Sequence, residues 1–125
     1  MEYSTSGTHI IADFWGVEFN LLNDPVLLEK HLVQAAKDIG ATILSCESKT
    51  FQPFGVTVFV VLSESHLSIH TYPEKGFAAI DGYTCGDTID PMDAVLYLVS
   101  VLHPKKQEMI KLTRGEGKLK VTKIP

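Results

Sequence analysis

An α+β two-layer sandwich, with a largely antiparallel sheet covered on one face by two helices, is the fold this sequence predicts. Three observations lead there. Only two segments, Leu28–Ile39 and Val95–Leu102, repeat apolar residues at helical spacing. The other apolar stretches are short, rich in β-branched and aromatic residues, and mostly separated by turns too short for a parallel crossover. Their order is β-α-β-β-β-β-α-β, with the last part split in two, a run of hairpins interrupted twice by a helix. A chain of 125 residues, 45% apolar and 21% charged, suits one domain with its own core.

His9 to Val17 (HIIADFWGV) predicts the first strand. After a turn at Leu22–Asp24 comes the first helix. Asn23 or Asp24 caps it, Pro25 suits its first turn and Gly40 stops it. Leu28, Leu32, Ala35, Ala36 and Ile39 form its apolar side, opposite Glu29, Lys30, Gln34 and Lys37. A second strand runs from Ala41 to about Ser48, and Phe51–Gly55 is a turn-rich loop. Val56–Leu62 (VTVFVVL) is almost continuously apolar, as a central strand is. In Ser65–Tyr72, Leu67, Ile69 and Thr71 point one way while His66, Ser68, His70 and Tyr72 point the other. Pro73 ends that strand, Glu74-Lys75-Gly76 turns the chain, and Phe77–Thr84 returns to deliver Cys85. The second helix starts at Asp90 with Pro91 in its first turn and Asp93 favouring its N-terminus; Val95, Leu98, Val99 and Leu102 face the core, and Pro104 stops it. Met109–Ile124 reads as two short strands around Arg114–Gly117. Two helices cover one sheet face only, so the other face predicts a homodimer.

A net charge of −4 and a pI near 5.7 argue against nucleic acid as the partner. Lys105, Lys106, Lys111, Arg114, Lys118, Lys120 and Lys123 crowd the last part of the chain, as expected of a solvated edge strand. No apolar run is long enough for a bilayer, so no membrane span is expected. MEYSTSGTHI lacks the basic and apolar regions of a signal peptide. Cys46 and Cys85 make no disulfide framework, which points to the cytoplasm with both thiols reduced.

Chemistry concentrates between Leu62 and Cys85, where three Ser, two His, two Glu and a Cys lie among short apolar runs. Buried polar groups are expensive unless hydrogen-bonded or used. Three arrangements suit these residue types. A Ser-His-acid hydrolase lacks its G-x-S-x-G turn. A metal site from His66, His70 and Cys85 has no spacing that selects a metal. The third is self-processing at Ser65, with Thr57 and Ser68 as donors to a developing oxyanion, and residue types alone do not rank it first. On their own, Ser65 reads as a strand-entry serine, Cys85 and Cys46 as small core residues, and His66 as a structural hydrogen-bonding group. Thr57 reads as a strand residue and Glu74 as a turn residue.

The run ESHLSIHTYPE, followed by GFAAIDGYTCGD, resembles the processing and active-site segment of S-adenosylmethionine decarboxylases of the short bacterial and archaeal class. GTHIIADFWGVEFNLLND and the Asp90-Pro91 helix are similar to that family too, so the resemblance spans most of the chain. Tyr72 stands where the family more often carries Trp. The resemblance implies a proenzyme cut between Glu64 and Ser65 into a β subunit, 1–64, and an α subunit, 65–125. Ser65 would attack the Glu64 carbonyl with Thr57 in support, and His70 would remove the Ser65 Cα proton. Ser65 would thereby become a pyruvoyl group, a cofactor that replaces pyridoxal phosphate, with no metal needed. S-adenosylmethionine would bind it as a Schiff base and lose CO2, and Cys85 would return a proton, giving decarboxylated S-adenosylmethionine for spermidine biosynthesis. Glu74 matches the acid that holds the ribose hydroxyls. Phe51 and Tyr72 are candidates for adenine or sulfonium contacts, Phe51 serving the neighbouring protomer if the site lies between chains. A pyruvoyl arginine or ornithine decarboxylase on the same scaffold is one alternative. An unprocessed, non-enzymatic homologue is another, against which intact Ser65, His70 and Cys85 speak.

Overall fold

Strands β1 (Gly7–Trp15), β2 (Ile43–Thr50), β3 (Val56–Leu62), β4 (Ser65–Tyr72), β5 (Phe77–Cys85), β6 (Lys106–Arg114) and β7 (Lys120–Ile124) form one sheet. Their spatial order is β2-β3-β4-β5-β1-β6-β7, and every neighbouring pair is antiparallel. This is a computed structural model describing residues 5–86 and 88–125; the first four residues of the N-terminal segment and Asp87 lie outside the described residues.

Helices α2 (Pro25–Asp38) and α3 (Pro91–Leu102) cover one face, giving the two-layer α+β arrangement. Each begins where the residue types require. Asp24 accepts the Leu27 N–H at 3.0 Å and Asp90 the Met92 N–H at 2.9 Å, and each is followed by a proline that has no N–H to leave unpaired. A further turn of helix, α1 (Phe19–Leu22), stands just before the predicted turn. It buries Leu22, which explains why an apolar pair precedes that turn.

Alternation along the strands sorts the residues. Ile10, Ala12 and Phe14 of β1, Val56, Val58 and Val60 of β3, and Leu67 and Ile69 of β4 are buried beneath the helices. They meet Leu28, Leu32, Ala35 and Ala36 of α2 and Val95, Leu98 and Leu102 of α3. Burial of this apolar area is the main source of stability. The opposite face has no helix and leaves Ile11, Trp15, Phe59 and Val61 exposed.

β3 and β4 keep their expected bounds, whereas β1 is displaced. It starts at Gly7 because it pairs along its length with β6, from Gly7↔Arg114 to Trp15↔Lys106. It stops at Trp15 because Gly16, at φ +73°, turns the chain. β2 lies slightly later than expected, Ile43–Thr50, with an irregular register at its start. It is an edge strand, and β7, with its lysines exposed, is the other edge. No helix among the described residues is long and apolar enough to cross a membrane.

Thr71 ties three elements together. Its buried hydroxyl accepts the Val56 N–H at 2.9 Å and donates to the Leu22 carbonyl at 2.7 Å. Thr71→Val keeps the shape but orphans both groups, so it should lower the unfolding free energy by about 1–3 kcal/mol in urea denaturation.

Candidate active site

The turn between β3 and β4 is two residues, Ser63 and Glu64, with Leu62 paired to Ser65. Such a tight reversal demands an unusual backbone, and Glu64 adopts φ +60°, the left-handed region that side chains disfavour. Strain is therefore held at the residue whose carbonyl joins it to Ser65. Cys85, the last residue of β5, lies across this peptide. Its N–H donates to Ser65 Oγ at 3.3 Å and its thiol donates to the Glu64 carbonyl oxygen at 3.0 Å. Its two chain neighbours are fastened as well: Gly86 N–H donates to the Ser6 carbonyl at 2.8 Å, and Thr84 Oγ1 to the Ile89 carbonyl at 3.0 Å.

A second group sits at the other end of the sheet. Thr57 Oγ1 and His70 Nδ1 are 3.0 Å apart, paired across β3 and β4. Tyr72 is exposed and packs on Phe77, which packs on Trp15 at 4.3 Å between ring centroids. Glu74 lies in the single 3-10 turn Pro73–Lys75, closed by Gly76 in the left-handed conformation, and is exposed. Phe51 is exposed on the loop before β3.

The expected site residues thus divide. Glu64, Ser65 and Cys85 come together, and so do Thr57 and His70, but the two groups stay apart. Ser65 and His70 are five positions apart on β4, roughly 16 Å along a strand and on alternate faces.

Between the two ends, on the face without helices, lies a network that the residue pattern did not single out. Asp81 Oδ2 accepts from His9 Nε2 at 2.7 Å and His66 Nε2 at 2.9 Å, while Ser68 Oγ donates to Oδ1. Ser68 is therefore committed to Asp81, which corrects its expected part as an oxyanion donor. Burial pushes the Asp81 carboxyl up, but the hydrogen bonds from His66, Ser68 and His9 outweigh it and hold it well below the usual carboxylate range. The hairpin register carried the signal for half of this network, since a turn pairing Tyr72 with Phe77 sets Ser68 opposite Asp81. His9 arrives only because β1 pairs with β5.

His66, His70 and Cys85 do not gather into a metal site: His66 turns to Asp81 and His70 to Thr57. His9, His66 and Asp81 do lie within ligand distance of one another. Arg114, however, donates to His9 Nδ1 at 3.2 Å. A metal on Nε2 would need a proton on that same Nδ1, two donors facing each other. The trio is a closed hydrogen-bond network that fastens β1, β4 and β5 together.

Residues 8–115 match the family model described as S-adenosylmethionine decarboxylase. The chain is 60% identical over 121 residues to the S-adenosylmethionine decarboxylase proenzyme of Brevibacillus brevis, covering 97% of this chain and 91% of that one. It is 60% identical over 119 residues to the S-adenosylmethionine decarboxylase proenzyme 2 of Bacillus cereus, covering 95% and 97%. The crystal structure of the adenosylmethionine decarboxylase from Aquifex aeolicus superposes with a TM-score of 0.79 at 36% identity, over 94% of this chain and 95% of that one.

A depressed native pKa at Asp81 contributes stability that is full above the unfolded-state value of about 3.9 and is lost as pH falls towards the native one. The stability gap between wild type and Asp81→Asn should narrow steadily as pH falls below about 4, read from urea midpoints between about pH 5 and pH 2.

Proposed function

The chain belongs to the S-adenosylmethionine decarboxylase family, and we propose that it works as a self-processing homodimer whose active sites each draw on both chains. Its activity is the decarboxylation of S-adenosylmethionine, which supplies spermidine biosynthesis. Relatives matched over nearly the whole chain are proenzymes of this activity, so neither an arginine or ornithine decarboxylase nor a non-enzymatic homologue is favoured. The free cysteines and the biosynthetic role support a cytoplasmic location.

The observation that carries the site assignment is the pair of contacts Cys85 makes across the Glu64–Ser65 peptide. Attack of Ser65 Oγ on the Glu64 carbonyl carbon puts negative charge on the carbonyl oxygen, towards which the thiol proton already points. Conversion of the peptide to an ester also frees Glu64 from its left-handed backbone.

A base must next remove the Ser65 Cα proton, and the same chain's His70 is out of reach. The helix-free sheet face that carries His70 exposes Ile11, Phe59 and Val61, an apolar surface suited to burial against a second copy. A two-fold axis lying between two such faces and crossing the strands brings the Ser65 end of one chain over the His70 end of the other. The partner's His70 takes the Cα proton, and Glu64 departs as a carboxylate. The dehydroalanine at position 65 takes up water and releases ammonia, leaving pyruvoyl. The products are the β subunit, 1–64, and the α subunit that begins at position 65.

These residues fit a pyruvoyl cofactor, whose carbonyl supplies an electron sink for the charge left by CO2. Cys85 sits beside position 65 and returns a proton to the substrate carbon. Phe51, Tyr72 and Glu74 share the His70 end, so each serves the substrate of the other protomer. The two rings offer faces to adenine or the sulfonium, and the Glu74 carboxylate accepts from the ribose hydroxyls.

Co-expression of Ser65→Ala with His70→Ala chains tests this reading. Each variant alone should stay whole by intact mass. In the mixed dimer, the His70→Ala chain should be cut between Glu64 and Ser65 by the intact histidine of its partner, and the mixture should release CO2 from S-adenosylmethionine but not from arginine. A mixture that stays uncut would leave His70 without its role in trans.

A further inference from the structure

Tyr83 precedes Cys85 by two positions on β5, so the two side chains share the helix-free face. The Tyr83 hydroxyl lies 3.9 Å from Cys85 Sγ. It reaches there by lying flat over β1 at Gly7, the register partner of Cys85. A Cβ at Gly7 would sit 2.5 Å from the Tyr83 hydroxyl oxygen and 2.8 Å from its ring, so the missing side chain makes the room. On the ring's other neighbours, the Arg114 guanidinium stands 5.0 Å from its centroid, and His9 packs edge-on at 5.5 Å. The ring is held from two other strands, β1 and β6, and its hydroxyl points at the sulfur.

Donor accounting decides the direction of that contact. A thiol has one proton, and that of Cys85 goes to the Glu64 carbonyl at 3.0 Å. The tyrosine O–H is therefore the donor and the sulfur the acceptor. We propose that Tyr83 is a positioning residue for Cys85, its hydroxyl donating to the sulfur so that the thiol is aimed at position 65 and the thiolate is stabilised once its proton has been given up. Burial and the neighbouring Cys85 raise the phenol above its usual range, against a smaller opposing effect of Arg114. It stays protonated, and a donor, across the range in which a thiol reacts. The proton that Cys85 delivers is its own, and solvent restores it after product leaves; the tyrosine keeps its proton throughout. Phenylalanine would fill the same space and leave the sulfur without this donor.

The proposal rests on Cys85 as proton donor, but its test reads the thiol directly and needs neither processing nor turnover. In an unprocessed Ser65→Ala, Cys46→Ser chain, Cys85 is the only cysteine left. Its alkylation by iodoacetamide is followed against pH, with and without Tyr83→Phe. Loss of one hydrogen bond to the thiolate should slow alkylation at fixed pH below the plateau about three- to tenfold and move the half-maximal pH upward. The plateau rate and the melting temperature should stay unchanged. Gly7→Ala, which keeps the phenol but pushes it off the sulfur, should give the same displacement and covers the case in which Tyr83→Phe folds poorly. Superimposable profiles for the parent and a folded variant would overturn the proposal while leaving the decarboxylase reading intact. Alkylation slowed equally at every pH would assign Tyr83 to access alone and overturn it too.

Discussion

The pleat of β4 is the constraint on which the site depends. A strand turns alternate residues to opposite faces and advances about 3.3 Å with each, so one eight-residue element does three jobs. Leu67 and Ile69 go into the core beneath the helices, while His66 and Ser68 go to Asp81 on the other side. Ser65 and His70 are carried to opposite ends. No side-chain rotation undoes that separation, because the strand is paired on both edges, with β3 and with β5. On the proposed reading, a processing site that uses both residues is assembled from two chains, and the helix-free face is where they meet.

Strain and stabilisation are placed on either side of one peptide bond. The two-residue turn holds Glu64 in a left-handed backbone, and Cys85 grips the same peptide through its N–H and its thiol. The N–H, fixed by the end of β5, holds Ser65 Oγ in place, while the thiol faces the carbonyl oxygen on which charge would develop. In the proposed reaction one residue stands at both stages: beside the Glu64 carbonyl before cleavage, and beside the carbon to be protonated afterwards. Tyr83, braced over Gly7, fits the same economy, since a thiol that changes partner between stages benefits from one partner that does not.

The Asp81 network explains how the helix-free sheet face tolerates so much polarity. Three donors satisfy one carboxylate, and Arg114 occupies the far nitrogen of His9. No buried side-chain donor or acceptor among the described residues lacks a partner. The network also joins β1 to β4 through β5, which keeps the Ser65–Cys85 end in register with the strand that bears Gly7 and Tyr83's packing surface.

Much of this was legible in the chain. Local rules determined both long helices through Asp24-Pro25 and Asp90-Pro91, the bounds of β3 and β4, and the hairpin closed by Glu74-Lys75-Gly76. The motif around Ser65 pointed to the chemistry through its resemblance to the S-adenosylmethionine decarboxylases, since residue types alone did not rank self-processing first. Tertiary structure alone decided the rest. Insertion of β1 between β5 and β6 depends on contacts remote in sequence, and it brings His9 to Asp81 and Gly7 beneath Tyr83. Nothing near His9 or Gly7 in the chain announces either partner. The split between Ser65 and His70 is different: their spacing is plain in the sequence, but its meaning depends on the segment being a strand, where five positions span the sheet, and not a helix, where they would span little more than a turn.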